Sequence, residues 1–308
     1  MKDFDSLIQE KGLTIERLIA LLRVANAHNL LDAAGGDRKR AMVISKMIHE
    51  LSKFFGTELT ERVDNTLRIS PNGVPLVQIA EDFFARVLDF KRSLGDLPLQ
   101  FSLGAGESIL YSLVIPRLLQ LHSNEQNITL DLHRRWDPSI IASLINHSLD
   151  FGIVAKEHLV PSLANEELGT TTYAMYAPTA LLEKLGLSPS DPEEKLLSTL
   201  PFVSQHRGAF FQNRLVQRAA GANIRVNFKL YCDSAPAALL SMKAGGYAGF
   251  VHSLAAPALD MKVFTRIDLP MVTEVKPTLV LAWIPNRIRT RLPEAEAFKN
   301  HLIKTLRF

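Results

Sequence analysis

The segment from Gly36 to Gly56 reads GDRKRAMVISKMIHELSKFFG, and the rest of the chain is read outward from it. Three consecutive bases, Arg38, Lys39 and Arg40, lead straight into a run with helical spacing. From Ala41 onward, Ile44, Met47, Ile48, Leu51, Phe54 and Phe55 recur at helical intervals and make one apolar face. Met42, Ser45, Lys46, His49 and Lys53 fall largely off that face. Gly56 stands where such a helix would stop. Aligned peptide dipoles already give a helix N-terminus partial positive charge. A basic triplet there adds like to like, which a polyanionic partner at that end would explain.

Upstream, Thr14 to His28 (TIERLIALLRVANAH) predicts an amphipathic helix with Thr14 as its N-cap. NLLDAAGG predicts a brief helix that two glycines stop. Three helices with a tight junction before the third form the helix-turn-helix pattern. Downstream, ELTERVDNTLRIS places two short strand-like runs around Asp64-Asn65, a turn pair, and predicts a hairpin beside the third helix. SPNG (70–73) predicts the next helix start, with Ser70 as N-cap and Pro71 in the first helical position. Val74 to about Leu94 is then a long helix whose apolar face, Leu76, Val77, Ile79, Phe83, Phe84, Val87 and Leu88, is too rich for a free linker. It packs either against a second chain or on its own domain.

GDLP (95–98) marks a boundary, and beyond it the texture changes. LQFSLGAG, NITLDLHRRW, DFGIVA, LPFVSQ, IRVNFKLYCDS, YAGFVH and KPTLVLAWIP read as strands. Between them ILYSLVIPRLLQLHSN, DPSIIASLINHSL, FFQNRLVQRAAG and APAALLSMKAGG read as helices, and PEAEAFKNHLIKTL closes the chain. Strands alternating with helices predict an α/β domain with a parallel sheet.

The totals fit this plan. The 308 residues are 47% hydrophobic and 22% charged, enough for more than one core. The net charge of +3 is too mild to argue for nucleic acid by itself, so charge acts locally if at all. The single cysteine, Cys232, excludes a disulfide within the chain and reads as a buried small apolar residue. The N-terminus lacks a signal peptide's apolar core, and no window reaches the ~18 uninterrupted apolar residues of a membrane span. The expectation is a soluble cytoplasmic protein.

At this point the residues resemble the LysR-type transcriptional regulators. LLRVANAHNLLDAA (21–34), ISKMIHELSKFFGTELTER (44–62) and NTLRISPNG (65–73) follow the family's DNA-binding pattern without gaps. LQFSLGAGES (99–108), SLDFGIV (148–154) and MKAGGYAGFV (242–251) look like stretches of its effector domain. The departures are local. Asp37 and Lys39-Arg40-Ala41-Met42 replace the family's leucine and V-S-Q-S, whose serine and glutamine touch phosphates and base edges. Thr60 stands for a phenylalanine near the wing, and Asn65 for its second arginine.

The resemblance implies a winged helix-turn-helix over residues 1–73 and a dimerisation linker helix over 74–95. It implies a two-lobed, periplasmic-binding-protein-like α/β effector domain over 96–308. Lobe I covers about 98–159 and 266–308, lobe II about 160–265. The implied partners are double-stranded DNA, a small-molecule effector between the lobes, and further copies of the chain, as a dimer or tetramer.

Arg38, Lys39 and Arg40 are then candidates for backbone phosphates, with Met42, Ser45, Lys46 and His49 on the groove-facing flank. Lys46 matches a family arginine and can donate to guanine or to phosphate. Arg62 and Arg68 flank the hairpin and are candidates for phosphates or a narrow minor groove. For the effector, GAGES offers Gly106, Glu107 and Ser108, which hold a ligand's polar group or simply cap a helix. By resemblance RWDPS adds Trp136 and Ser139, and the second lobe adds Ser204, His206, Asp233 and His252. Glu107, Arg135 and Arg207 add charge of both signs near the cleft, so the ligand's sign stays open.

Catalytic patterns are absent. The GAGES stretch has Ile109 where a dinucleotide fingerprint needs glycine, and no H-E-x-x-H, Cys/His cluster or G-x-S-x-G occurs. Glu166-Glu167 and Glu193-Glu194, flanked by loop-like sequence, read as solvated carboxylates. The expectation is no catalytic residue, no cofactor and no metal. Two rival readings are an enzyme on the same two-lobed scaffold and a binding module whose helix-turn-helix has lost DNA affinity.

Overall fold

The computed structural model describes residues 12–63, 66–95, 97–121, 128–205, 210–289, 291 and 293–308. The chain divides into two units, Met1–Gly95 and Asp96–Phe308. The first opens with α1 (Ile15–Ala25), where Thr14 accepts the N–H of Arg17, as its sequence predicts. The helix ends three residues short of His28, at an Asn26 whose N–H and side-chain amide both bond back to the Leu22 carbonyl. In α2 (Leu30–Ala33) the Asn29 side chain accepts from Asp32 N–H while Asp32 accepts from His28 N–H, a reciprocal cap. Gly35 and Gly36 then take φ of 67° and 86°, a left-handed step that only glycine makes cheaply.

Helix α3 (Arg38–Phe55) follows, stopped by Gly56 in the left-handed conformation. Ala41, Ile44, Ile48 and Leu51 of α3 pack on Ala20, Leu21 and Val24 of α1 and on Leu59 to make this unit's core. Phe55, expected on that face, is exposed, because the helix ends there. Strands β1 (Thr60–Val63) and β2 (Thr66–Ile69) pair antiparallel as the expected hairpin, with the Asp64-Asn65 step outside the described residues.

The next helix corrects the sequence reading. Helix α4 spans Gly73–Leu94, so Pro71 lies in the turn before it and not in its first position; Asn72 makes no side-chain cap bond, and the expected Ser70 supplies the cap bonding, its carbonyl accepting from Val74 N–H. Ser70 is buried beneath the hairpin's base, where its Oγ donates to the Glu58 carbonyl and accepts from Gly73 N–H. A side chain at position 73 would put its Cβ 2.1 Å from the Leu59 carbonyl oxygen, so glycine is a steric requirement there. The first turns of α4 bury Val77 and Ala80, whereas Ile79, Phe83, Val87, Leu88, Phe90 and Leu94 are exposed.

Among the described residues the second unit holds two five-stranded sheets. The first comprises β3 (Leu99–Ala105), β4 (Ile128–Arg134), β5 (Phe151–Ala155), β6 (Ala164–Thr170) and β12 (Thr278–Trp283), in the order β4-β3-β5-β12-β6. The second comprises β7 (Tyr173–Pro178), β8 (Phe202–Ser204), β9 (Phe228–Tyr231), β10 (Ala248–His252) and β11 (Phe264–Ile267), in the order β11-β7-β10-β8-β9. Both are mixed rather than parallel: β12 runs antiparallel to β5 and β6, and β7 antiparallel to β10 and β11. The expected lobe limits shift accordingly. Strand β6 pairs into the first sheet and β11 into the second, so the crossings fall near Thr171 and Pro277 instead of at 160 and 266. The neighbouring strands Ala164–Thr170 and Tyr173–Pro178, with only Thr171 and Thr172 between them, escape the sequence reading because they sit in different sheets.

Helices cover the sheets: α5 (Glu107–Ile109), α6 (Leu118–Leu121), α7 (Asp137–Ile145), α8 (Thr179–Leu185), α9 (Glu193–Thr199), α10 (Phe210–Gly221), α11 (Ala235–Lys243), α12 (Pro270–Thr273), α13 (Pro285–Arg289) and α14 (Pro293–Leu306). The proline-bearing helix expected after β3 is irregular, with a π-turn over Leu110–Val114 and a 3-10 turn over Ile115–Arg117 between α5 and α6. Pro116 has no N–H to give and its ring crowds the carbonyl one turn back, so the ladder re-registers around it. Glu166 and Glu167 lie on β6 and pair with Arg307 and Lys156, while Glu193 opens α9 and accepts from Met271 N–H, so these carboxylates tie elements together. Cys232 is half-buried just past β9.

Candidate nucleic-acid interface and ligand cavity

Helix α3 presents two opposite faces. Ala41, Ile44, Ile48 and Leu51 fill the core, while Arg38, Lys39, Arg40, Met42, Ser45, Lys46 and His49 are all exposed. Met42 is 73% exposed, high for a large apolar residue. Part of the puzzle of the basic triplet is resolved inside the chain. The Asp37 carboxylate accepts from the N–H groups of Lys39 and Arg40, at 2.8 and 3.3 Å. That carboxylate already occupies two of the donors an anion would use. Any phosphate meeting this end would be held by the side chains of the triplet and not by those two backbone groups.

Arg62 and Arg68 are both exposed, but the register separates them. Arg68 pairs with Glu61 and Arg62 with Leu67, so the two arginines point to opposite faces of the hairpin. Arg68 also has an opposite charge beside it.

In the second unit a cavity of about 810 Å³ opens between the two sheets' elements. The irregular helix after β3 contributes Ser108, Tyr111, Ser112 and Pro116. The second lobe contributes Tyr173, Ser204, Gln205, Phe211, Gln212, Met242, Phe250 and His252, among others. Ser108, Ser204 and His252 were expected from the sequence. Ser204 Oγ donates to Gln212 at 2.8 Å. Tyr173 stacks on Phe211 with ring centroids 4.0 Å apart and meets the His252 ring edge-on at 5.9 Å. Burial pushes the His252 imidazolium pKa down to about 4, so the ring is neutral near pH 7. Burial, with the Asp137 carboxylate adding to it, raises the Tyr173 phenol above its ordinary range.

The other expected effector residues have different work. Gly106 caps α5 and does not line the cavity. Glu107 is buried and accepts the N–H of Ala235 at the start of α11, a carboxylate meeting a helix N-terminus. Arg134 approaches Glu107 at 3.9 Å and donates to the carbonyl of Asp233 at 3.0 Å. These contacts tie the first lobe to the second, and Asp233 enters them through its backbone while its side chain stays off the lining. Trp136 occupies the N-cap position of α7, and Ser139 is exposed with its carbonyl accepting from Ser143. Arg135, expected near the cleft, donates instead to Ser143 Oγ at 2.8 Å. His206 and Arg207 lie outside the described residues. The sequence reading misses Tyr111, Ser112, Tyr173, Gln205, Phe211, Gln212, Met242 and Phe250. The proline within an otherwise helical run was the one usable signal for the first two.

Among the described residues no group of three or more His, Cys, Asp or Glu is placed to hold a metal, and no helix is long and apolar enough to cross a membrane.

The profile of the LysR substrate binding domain matches residues 96–307. The chain is 27% identical to the HTH-type transcriptional regulator HdfR of Yersinia pestis (strain Pestoides F) over 207 residues, 65% of this chain and 70% of that protein. Its fold is similar to that of full-length LysG from Corynebacterium glutamicum with bound effector Arg, with a TM-score of 0.68, 15% identity, and coverage of 96% and 98% of the two chains. It is also similar to full-length CbnR complexed with target DNA, with a TM-score of 0.58, 16% identity, and coverage of 95% and 100%. A substrate-binding domain matched across both sheets, behind a winged helix-turn-helix, makes this chain a member of the LysR-type transcriptional regulators.

Proposed function

We propose that the Arg38–His49 face of α3 enters the major groove of double-stranded DNA, with Arg38, Lys39 and Arg40 on phosphates and Met42, Ser45, Lys46 and His49 toward base edges. Arg62 and Arg68 reach the flanking backbone from the two faces of the wing. The exposed apolar face of α4 pairs two copies of the chain as a dimer, on which a tetramer can be built, so that a two-fold protein meets a two-fold site. A small molecule in the cavity of the second unit biases the regulator between two arrangements through its differential affinity for them. The protein works in the cytoplasm and has no catalytic role, cofactor or metal.

The observation that carries this reading is the split of α3, with one face filling the core and a basic, exposed face opposite. The DNA named with CbnR and the effector named with LysG give it support from similarly folded proteins. The experiment is a fluorescence-anisotropy titration of genomic fragments selected on the full chain, repeated over a salt series. Replacing Arg38, Lys39 and Arg40 together by alanine weakens binding to all DNA alike and flattens the salt slope by about three units, near one for each lost phosphate contact. An unchanged slope refutes the phosphate assignment. Absence of binding to any fragment favours the rival in which the helix-turn-helix has lost DNA affinity, a rival motivated by the loss of the family's serine and glutamine at Lys39-Arg40-Ala41-Met42.

A further inference from the structure

The cavity carries no formal charge among its described lining residues: none is Lys, Arg, Asp or Glu. Of the charged groups expected there, Glu107 is committed to Ala235 N–H and Arg135 to Ser143 Oγ, while Arg207 lies outside the described residues. Two lining side chains carry buried polar atoms without a hydrogen-bond partner among the described residues. His252 is 5% exposed, and neither ring nitrogen has a hydrogen-bond partner among the described residues. The amide nitrogen of Gln205 is likewise buried without one. Buried polar atoms are ordinarily paired, so three orphaned nitrogens on two residues that line one cavity mark a place that a ligand's polar group can complete.

Their position has a topological reason. Strands β8 and β10 run parallel, with Gly249 beside Val203. Gln205 follows β8 and His252 ends β10, so both stand at carboxyl ends of adjacent parallel strands, where open α/β sheets collect ligands. Aromatic rings surround them. Tyr173 is paired with His252 across β7 and β10, Phe211 stacks on Tyr173, and Phe250 lies 5.5 Å from Phe211.

We propose that this cavity binds an uncharged aromatic compound bearing a hydroxyl group, its ring among Tyr173, Phe211 and Phe250 and its hydroxyl on His252 and Gln205. A neutral imidazole offers one donor and one acceptor, and the Gln205 amide nitrogen offers donors. A hydroxyl both donates and accepts, so one group can accept from Gln205 Nε2 and pair with one of the two His252 ring nitrogens. A carboxylate only accepts, and it would lose its water with no described cation to replace it. The proposal rests on reading the cavity as the effector site.

The test is isothermal titration of the full chain with naphthol, with naphthoate substituted at the same ring carbon, and with decahydronaphthol, the saturated alcohol. Naphthol binds at least about tenfold tighter than either of the others. His252→Phe and Gln205→Leu each weaken naphthol by up to about tenfold, the worth of one hydrogen bond. Thermal unfolding checks that both variants fold, and Gln205→Leu carries the comparison alone if His252→Phe does not. Naphthoate or decahydronaphthol binding as tightly as naphthol, or no binding of naphthol, overturns the ligand class. If naphthoate binds best and both variants weaken it, the cavity remains the effector site and only the class falls. If naphthol binds equally to wild type and both variants, the cavity itself is not the site.

Discussion

The outward face of α3 and the wall of the cavity treat charge in opposite ways. The α3 face is written in one short stretch, Arg38 to His49, and its bases stand in water. The cavity wall is gathered from residues between Ser108 and Ala258, and its described lining is uncharged. The difference follows from solvation: a cation costs little where water reaches it and a great deal where it does not. Where charge does go inside the second unit, it is paired. Buried Asp150 accepts from Ser102 N–H and Oγ, from Arg287 Nε at 3.0 Å and from Arg291 Nη1 at 3.1 Å, and Arg291 lies 4.3 Å from the Phe101 ring centroid. Exposed charge with no ion-pair partner among the described residues is thus the mark of the first surface, and buried neutral polarity without a described partner the mark of the second.

Four measurements would break or sharpen that contrast. The largest effect is expected on the inner face of α3. Leu51 is fully buried, and Leu51→Ala costs about 2–5 kcal/mol in the denaturant unfolding of the first unit. A loss under about 1 kcal/mol would mean that this face does not hold the core.

The second concerns His252. Its folded pKa of about 4 lies below the ordinary 6.5, so between these values the unfolded chain binds the extra proton. Stability from this group is therefore intact above pH 6.5 and declines as pH falls toward 4, by on the order of 3 kcal/mol in all. His252→Phe removes that slope. Parallel stability curves for wild type and variant across the window would show that the ring is not buried as a neutral group.

Third, Asp37→Ala removes the cap of α3 and costs about 1 kcal/mol of stability. DNA affinity holds or rises, because a carboxylate leaves the basic end. A fall in affinity well beyond the stability loss would place Asp37 in recognition. The smallest effect on stability is at Lys46, which is exposed, and Lys46→Ala stays within about 0.5 kcal/mol. Its effect is on preference: the ratio of selected to random DNA affinity falls. Equal losses on both would make Lys46 a phosphate contact and no more.

The first unit was largely legible. Thr14, Gly56 and the apolar spacing of Ile44, Ile48 and Leu51 act within one or two helical turns, so their consequences can be read in order. The exceptions were also contacts across distance. Ser70 accepts Gly73 N–H as an N-cap does but also donates to the Glu58 carbonyl, and Gly73 is fixed by the Leu59 carbonyl, both partners lying on the other arm of the hairpin. In the second unit most helices and strands after Leu99 were legible, yet the sheets were expected to be parallel and came out mixed. Nothing local tells β12 to enter between β5 and β6, more than a hundred residues upstream.

For the sites the divide is sharper. Every α3 residue expected at the nucleic-acid surface is exposed. Of the effector candidates among the described residues only Ser108, Ser204 and His252 line the cavity, while Trp136, Ser139 and Asp233 serve turns, caps and lobe contacts. The sequence by itself determined the helix-turn-helix, its basic face and the boundary near Gly95, because periodicity, caps and charge runs are properties of neighbours along the chain. Only the tertiary structure decided that Glu107 and Arg134 are used up in joining the lobes and that His252 stands neutral and unpartnered among aromatic rings. Burial and hydrogen-bond satisfaction depend on what the fold brings near from far away, and residue order carries no record of that.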